Sequence, residues 1–286
     1  MAERKRYVHL FETVSDFNAA YKGEDYHEPW VSYVKENERV DYNKVEERDY
    51  SKEYLTIEAL ESGNITPNIK VEYSVNGGEW IENSGAEAIT LSQGDKVKFR
   101  GTEGGSNLFG NNTLMFKVYG NIESLEYKDD FVGKTSVKSG FDTCFKTCAG
   151  LTDASNLVLP ATTLASSCYD SMFQGCTSLT QAPELPATTL AIYCYSSMFQ
   201  GCTSLTKAPE LPIGILVEGC YSGMFSGCTN LNYIKCLATN IPAEECTYKW
   251  VEQVAANGTF VKASSMSSWT RDADGIPENW TVQDAY

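Results

Sequence analysis

The chain has 286 residues, enough at roughly 150 residues per domain for about two domains and a sizeable core. With 23 Lys+Arg against 38 Asp+Glu the formal charge is −15, so phosphate backbones and anionic lipid surfaces repel it, and neither nucleic acid nor membrane insertion is expected. Two histidines, His9 and His27, both near the start, remove most His-based catalysis and zinc chemistry from the remainder.

Residues 1–54 hold 9 Lys+Arg, 13 Asp+Glu and ten aromatic side chains. The opening MAERKRYVHLFETVSDF alternates apolar and charged residues, so it lacks the apolar run of a signal peptide. No window reaches the 18 apolar residues of a membrane-spanning helix. Tyr7 to Phe11 read as a strand, about 14–22 as a helix capped by Thr13 and stopped at Gly23, and WVSYV and RVDYN as strands around a KENE turn. Apolar material is too sparse here for an independent core, so residues 1–53 are expected to order against a partner. Tyr7, Phe11, Phe17, Tyr21, Tyr26, Trp30 and Tyr33 are the docking candidates.

Residues 54–127 carry about six short alternating runs, among them YLTIEAL, KVEYSV and KVKFRG, separated by turn signals such as Asn76-Gly77-Gly78 and Gly94-Asp95. That pattern predicts a small antiparallel β-sandwich. Residues 128–140 read as a linker.

From about Phe141 the chain repeats itself every 26 residues. Cys168, Cys194, Cys220 and Cys246 keep this step, as do Cys176, Cys202 and Cys228, Phe173, Phe199 and Phe225, and Leu185, Leu211 and Leu237. A period of 20–29 residues with fixed leucines predicts a leucine-rich solenoid whose coils bury their apolar edges against one another. In each coil CYSSMF reads as a one-to-two-turn helix ending at glycine, and SLTKAPELP as a short strand on the concave wall. Trp250, Val251 and Val254 suggest a terminal helix, followed by strands at 259–263 and 280–282, with Trp269 and Trp280 closing the open end. The expected fold is therefore mixed α+β and multi-domain: docking segment 1–53, sandwich 54–127, linker 128–140, solenoid 141–246 and C-terminal cap 247–286.

No catalytic, cofactor or metal site is expected. Cys144 and Cys148 stand at i, i+4, but both fall on repeat positions and no further ligand completes a tetrahedral set. A nucleophilic cysteine lacks a nearby base. Reduced thiols then serve as small apolar fillers, although coils spaced about 4.8 Å apart also bring successive cysteines near disulfide range. Acidic pairs such as Asp129-Asp130 and Glu244-Glu245 sit in polar stretches that read as solvated surface, and Asp272 and Asp274 before Gly275 lack the remaining ligands of a calcium loop. What is left is surface: Gln181, Glu184, Lys207, Glu210 and Tyr233 on the concave wall are the candidate display face.

The unit CYxxMFxGCTSLTxAPELPATTLA, over about 141–246, resembles the BspA-like leucine-rich repeats of surface proteins of gut and oral Bacteroidales and of their phages, and GTFVKA, SSW and GIPENWTV are similar to the C-terminal cap of that group. The run from Tyr7 to Lys44, with YSVNGGEW and GDKVKFRG after it, resembles the front end of virion proteins of tailed phages of gut Bacteroidales, crAss-like phages included. These resemblances imply a non-enzymatic virion protein, a head fibre or capsid decoration, made in host cytoplasm and carried on the virion surface. Its implied partners are capsid or other virion proteins, further copies of itself, and a host-surface glycan or protein. A bacterial cell-surface adhesin is the alternative.

Overall fold

The computed structural model describes residues 48–138, 140–241, 245–266 and 269–285. From Asp49 onward the chain folds as one unit. Its strands are β1 (Leu55–Ala59), β2 (Gly63–Ile65), β3 (Val71–Val75), β4 (Ile81–Asn83), β5 (Ile89–Leu91), β6 (Lys96–Arg100), β7 (Phe116–Asn121), β8 (Leu151–Val158), β9 (Leu211–Ile215), β10 (Tyr233–Asn240), β11 (Thr259–Lys262) and β12 (Thr281–Asp284). One helix of four residues, α1 (Ser124–Tyr127), follows β7.

Three sheets result: six strands in the order β4-β3-β6-β1-β7-β8, four in the order β12-β11-β10-β9, and the pair β2-β5. In the first sheet the hairpin β3–β4 turns through Asn76 and Gly77, both at positive φ (51° and 75°), the backbone that matches the twist of paired strands. All its pairings are antiparallel except the last, where β7 runs parallel to β8. Through that parallel edge the sheet runs on into the repeats.

Between β8 and β10 each coil is a chain of tight turns. Alternate amides bond three residues back within the coil, as Asp170 N–H to the Ser167 carbonyl and Met172 N–H to Tyr169. The amides between them donate to the next coil: Tyr169 to Cys194, Ser171 to Ser196, Phe173 to Met198 and Gly175 to Gln200, and the same pattern recurs one coil on. Keeping both sets requires left-handed backbone at Ser167, Ser171, Tyr193, Ser197 and Gly219, and at the closing glycines 175, 201 and 227.

Inside, the repeat builds two columns of rings. Phe145, Phe173, Phe199 and Phe225 stack nearly parallel with centroids 5.4–5.8 Å apart, and Tyr169, Tyr195 and Tyr221 follow beside them at 5.8 and 6.2 Å. Both columns end on Trp250, which stacks on Trp269. At the other end Phe145 lies on Phe109, which meets Phe99 of β6 edge-on. The first sheet thus closes one end of the stack and the tryptophans the other.

These observations correct the expected fold class. Among the described residues the chain is mostly β with a single four-residue helix, not α+β with a helix-and-strand leucine-rich solenoid. Tyr169, Met172, Phe173 and Cys176 have helical spacing, but a left-handed residue every fourth position stops any helix from propagating, and half the amides are committed to the neighbouring coil. The expected terminal helix around Trp250 is a further set of the same turns: Tyr221, Gly223, Phe225 and Gly227 donate to Cys246, Tyr248, Trp250 and Glu252. Most expected inner strands reduce to isolated bridges such as Lys207 to Tyr233, because Pro183, Pro186 and Pro209 have no N–H to extend them. The expected small antiparallel sandwich is replaced by a mixed sheet shared with the first repeat strand, β8.

Because one ring column joins the sheet to the repeats, both should melt together. Phe199→Ala removes a fully buried ring and should cost about 3–5 kcal/mol, measured by urea unfolding. Near-UV circular dichroism and amide exchange in β1 and β6 should show one shared, lowered midpoint. Two separated transitions would show that the column does not couple them.

Candidate binding face

The ten cysteines are all buried. Cys148, Cys176, Cys202 and Cys228 each donate a thiol hydrogen bond to a phenylalanine carbonyl one coil back, on Phe109, Phe145, Phe173 and Phe199 (2.8–3.1 Å). Burial pushes the Cys148, Cys168, Cys228 and Cys236 thiols up to about 12 and Cys194 to about 11. A thiol so raised is protonated at neutral pH. Among the described residues no group of three or more His, Cys, Asp or Glu side chains is placed to hold a metal ion, and no helix is long and apolar enough to cross a membrane.

The acidic candidates are likewise engaged. Asp272 accepts from the Thr270 hydroxyl and the Asp274 amide and so holds its own turn, while Asp274 accepts from the Lys249 amide and ties that turn to the neighbouring coil. Asp129 binds Arg100 (2.7 Å) and the Tyr54 hydroxyl (2.6 Å), while Arg100 also reaches Glu72 (2.6 Å) and lies 4.1 Å from the Trp80 ring centre. The Lys128 ammonium first and Arg100 second hold the Glu72 carboxyl below the usual range, and the Tyr54 hydroxyl first and Arg100 second do the same for Asp129.

One buried acid was not singled out from the sequence. Glu123 precedes α1, is 0 % exposed, and has no hydrogen-bond donor facing either carboxyl oxygen. Its neighbour Glu126 accepts the Lys138 and Gly140 amides (2.7 and 3.1 Å). Burial first, and the Glu126 charge second, raise Glu123 to about 8, so at neutral pH it keeps a proton to donate to Glu126.

The display candidates come together. Gln181, Glu184, Lys207, Glu210 and Tyr233 line one groove of ≈ 690 Å³. The repeat places them: Gln181, Lys207 and Tyr233 are 26 residues apart, as are Glu184 and Glu210. Ala182, Pro183, Ala208 and Pro209 form its floor. The Lys207 ammonium stands 5.4 Å from the Tyr233 ring centre. Lys235, also in the groove, pairs with Glu210 at 2.9 Å; its position two residues beyond Tyr233 on β10 was the available signal, since alternate strand residues share a face. The docking candidates Tyr7, Phe11, Phe17, Tyr21, Tyr26, Trp30 and Tyr33 lie outside the described residues.

Comparison with protein-family models, with curated proteins and with solved structures returns no match to this chain. The groove must be read from its own chemistry.

Glu123 gives a pH test. Its folded pKa lies above its unfolded one, so the folded state binds the extra proton, and stability falls as pH rises from about 4.5 to about 8. Glu123→Gln keeps a donor toward Glu126 without a charge, so its stability advantage should grow by about 2–4 kcal/mol between pH 5 and pH 9. Urea titrations at the two pH values measure this, and an advantage that does not change with pH would place Glu123 in a solvated setting.

Proposed function

We propose that this chain is a non-enzymatic virion structural protein, a head fibre or capsid decoration. It docks through residues 1–53 and presents the groove to a host-surface glycan or protein. The observation that carries the display part is the gathering of Gln181, Glu184, Lys207, Glu210 and Tyr233 in one groove. Polar and aromatic side chains gathered on one wall suit recognition. The virion placement rests on the resemblance of the front end and the repeats to phage proteins, and on ten aromatic residues set among dense charge in residues 1–54. Copies on a particle would follow its symmetry, and the protein would be made in host cytoplasm and reach the virion surface by assembly.

Deleting residues 1–50 tests the anchor. Particles assembled with the truncated chain should lack it by immunoblot, while the purified remainder keeps its circular dichroism. A truncated chain that still enters particles would refute docking by this segment. Tyr233→Ala, in contrast, should enter particles normally and reduce host-cell attachment.

A further inference from the structure

The groove runs across neighbouring coils, and this gives it a repeat of its own. Gln181, Lys207 and Tyr233 hold equivalent places on three successive coils. Lys207 and Tyr233 are β-bridge partners, as are Asp153 and Gln181, so a bridged step between neighbouring coils is about 4.8 Å. That step is close to the advance of one pyranose in an extended β-1,4-linked chain. Charge cancels along it: two lysines, Lys207 and Lys235, line it with two glutamates, Glu184 and Glu210, within a chain of net −15. Small apolar side chains, Ala182, Pro183, Ala208 and Pro209, line it between the polar groups. Backbone at both ends of the row is already used, since the Gln181 carbonyl accepts from Ala154 and the Tyr233 carbonyl from Ala208. A peptide would look for side-chain sockets or a free strand edge. A planar amide, carboxylates, ammonium groups and one half-exposed ring are instead the groups that bind sugar hydroxyls and the C–H face of a pyranose.

We propose that the groove binds a neutral, extended oligosaccharide lying along the stack, one pyranose per coil, with three ring positions. Tyr233 stacks on the first ring, Lys207 and Glu210 bond the second, and Gln181 and Glu184 bond the third. This rests on the reading of the groove as the display face and adds the ligand's charge, axis and length.

The probes are β-1,4-linked glucose and N-acetylglucosamine oligomers of one to six rings, titrated calorimetrically into the full chain. Affinity for at least one series should rise from one ring to three and stay level from three to six. Tyr233→Ala should weaken every length by about tenfold, the worth of roughly 1.4 kcal/mol. Gln181→Ala should remove only the gain of three rings over two. Unchanged near- and far-UV circular dichroism shows that each variant is folded. Equal affinity for one ring and six, or equal effects of the two variants at every length, overturns the three-position groove while leaving glycan display standing. Binding by oligouronates but not by the neutral series overturns the charge assignment. No binding by any of these sugars, with host-cell attachment still sensitive to Tyr233→Ala, overturns a sugar ligand and leaves a protein one. Loss of that sensitivity as well removes the display face itself.

Discussion

The interaction on which the rest depends is the coil-to-coil contact repeated along the stack. Each Phe of the column lies 5.4–5.8 Å from the next, and alternate backbone amides cross to the neighbouring coil. A single coil has too little apolar surface to offset the entropy of ordering its turns, and only stacking makes the side chains of one coil the interior of another. The cysteines belong to this contact. Phe173 illustrates the economy: its carbonyl accepts the Cys176 amide within its own coil and the Cys202 thiol from the next. A buried carbonyl has two lone pairs, and here both are used.

The two ends of the stack are closed differently. At the first end the six-stranded sheet joins through β7–β8, and Phe99 and Phe109 continue the ring column into its core. At the other end the column widens into tryptophan: Trp250 ends both rows and donates to the Gly275 carbonyl, and Trp280 donates to the Ala255 carbonyl. Each indole contributes area with a polar edge that needs one acceptor. The sheet is in this sense a lid as much as a module, and the wall that carries the groove is held from both sides.

The sequence made the repeat legible because its determinants are side chains at a fixed step: Cys, Phe and Leu positions 26 residues apart mark the stack, and outward residues of the proline-containing segments mark the face. The backbone of each coil was not legible. Tyr169, Met172, Phe173 and Cys176 have the spacing of a helix face, yet Ser167 and Ser171 adopt positive φ, which composition does not announce for serine. Glu123 was equally hidden. An acid after Asn121-Ile122 looks like surface until folding brings Glu126 and the end of the repeat stack over it. Lys235 stands outside the 26-residue frame and joins the groove through the alternation of β10.

Identical contacts between coils also bear on how such a protein changes. The segments from Cys168 and from Cys194 differ at few positions, and each offers its neighbours nearly the same amides, carbonyls, thiol and rings. A gain or loss of one such unit by unequal recombination would leave both closing ends intact and alter only the length of the wall between them. Reach can then be adjusted in whole steps, by copying, without inventing a new surface.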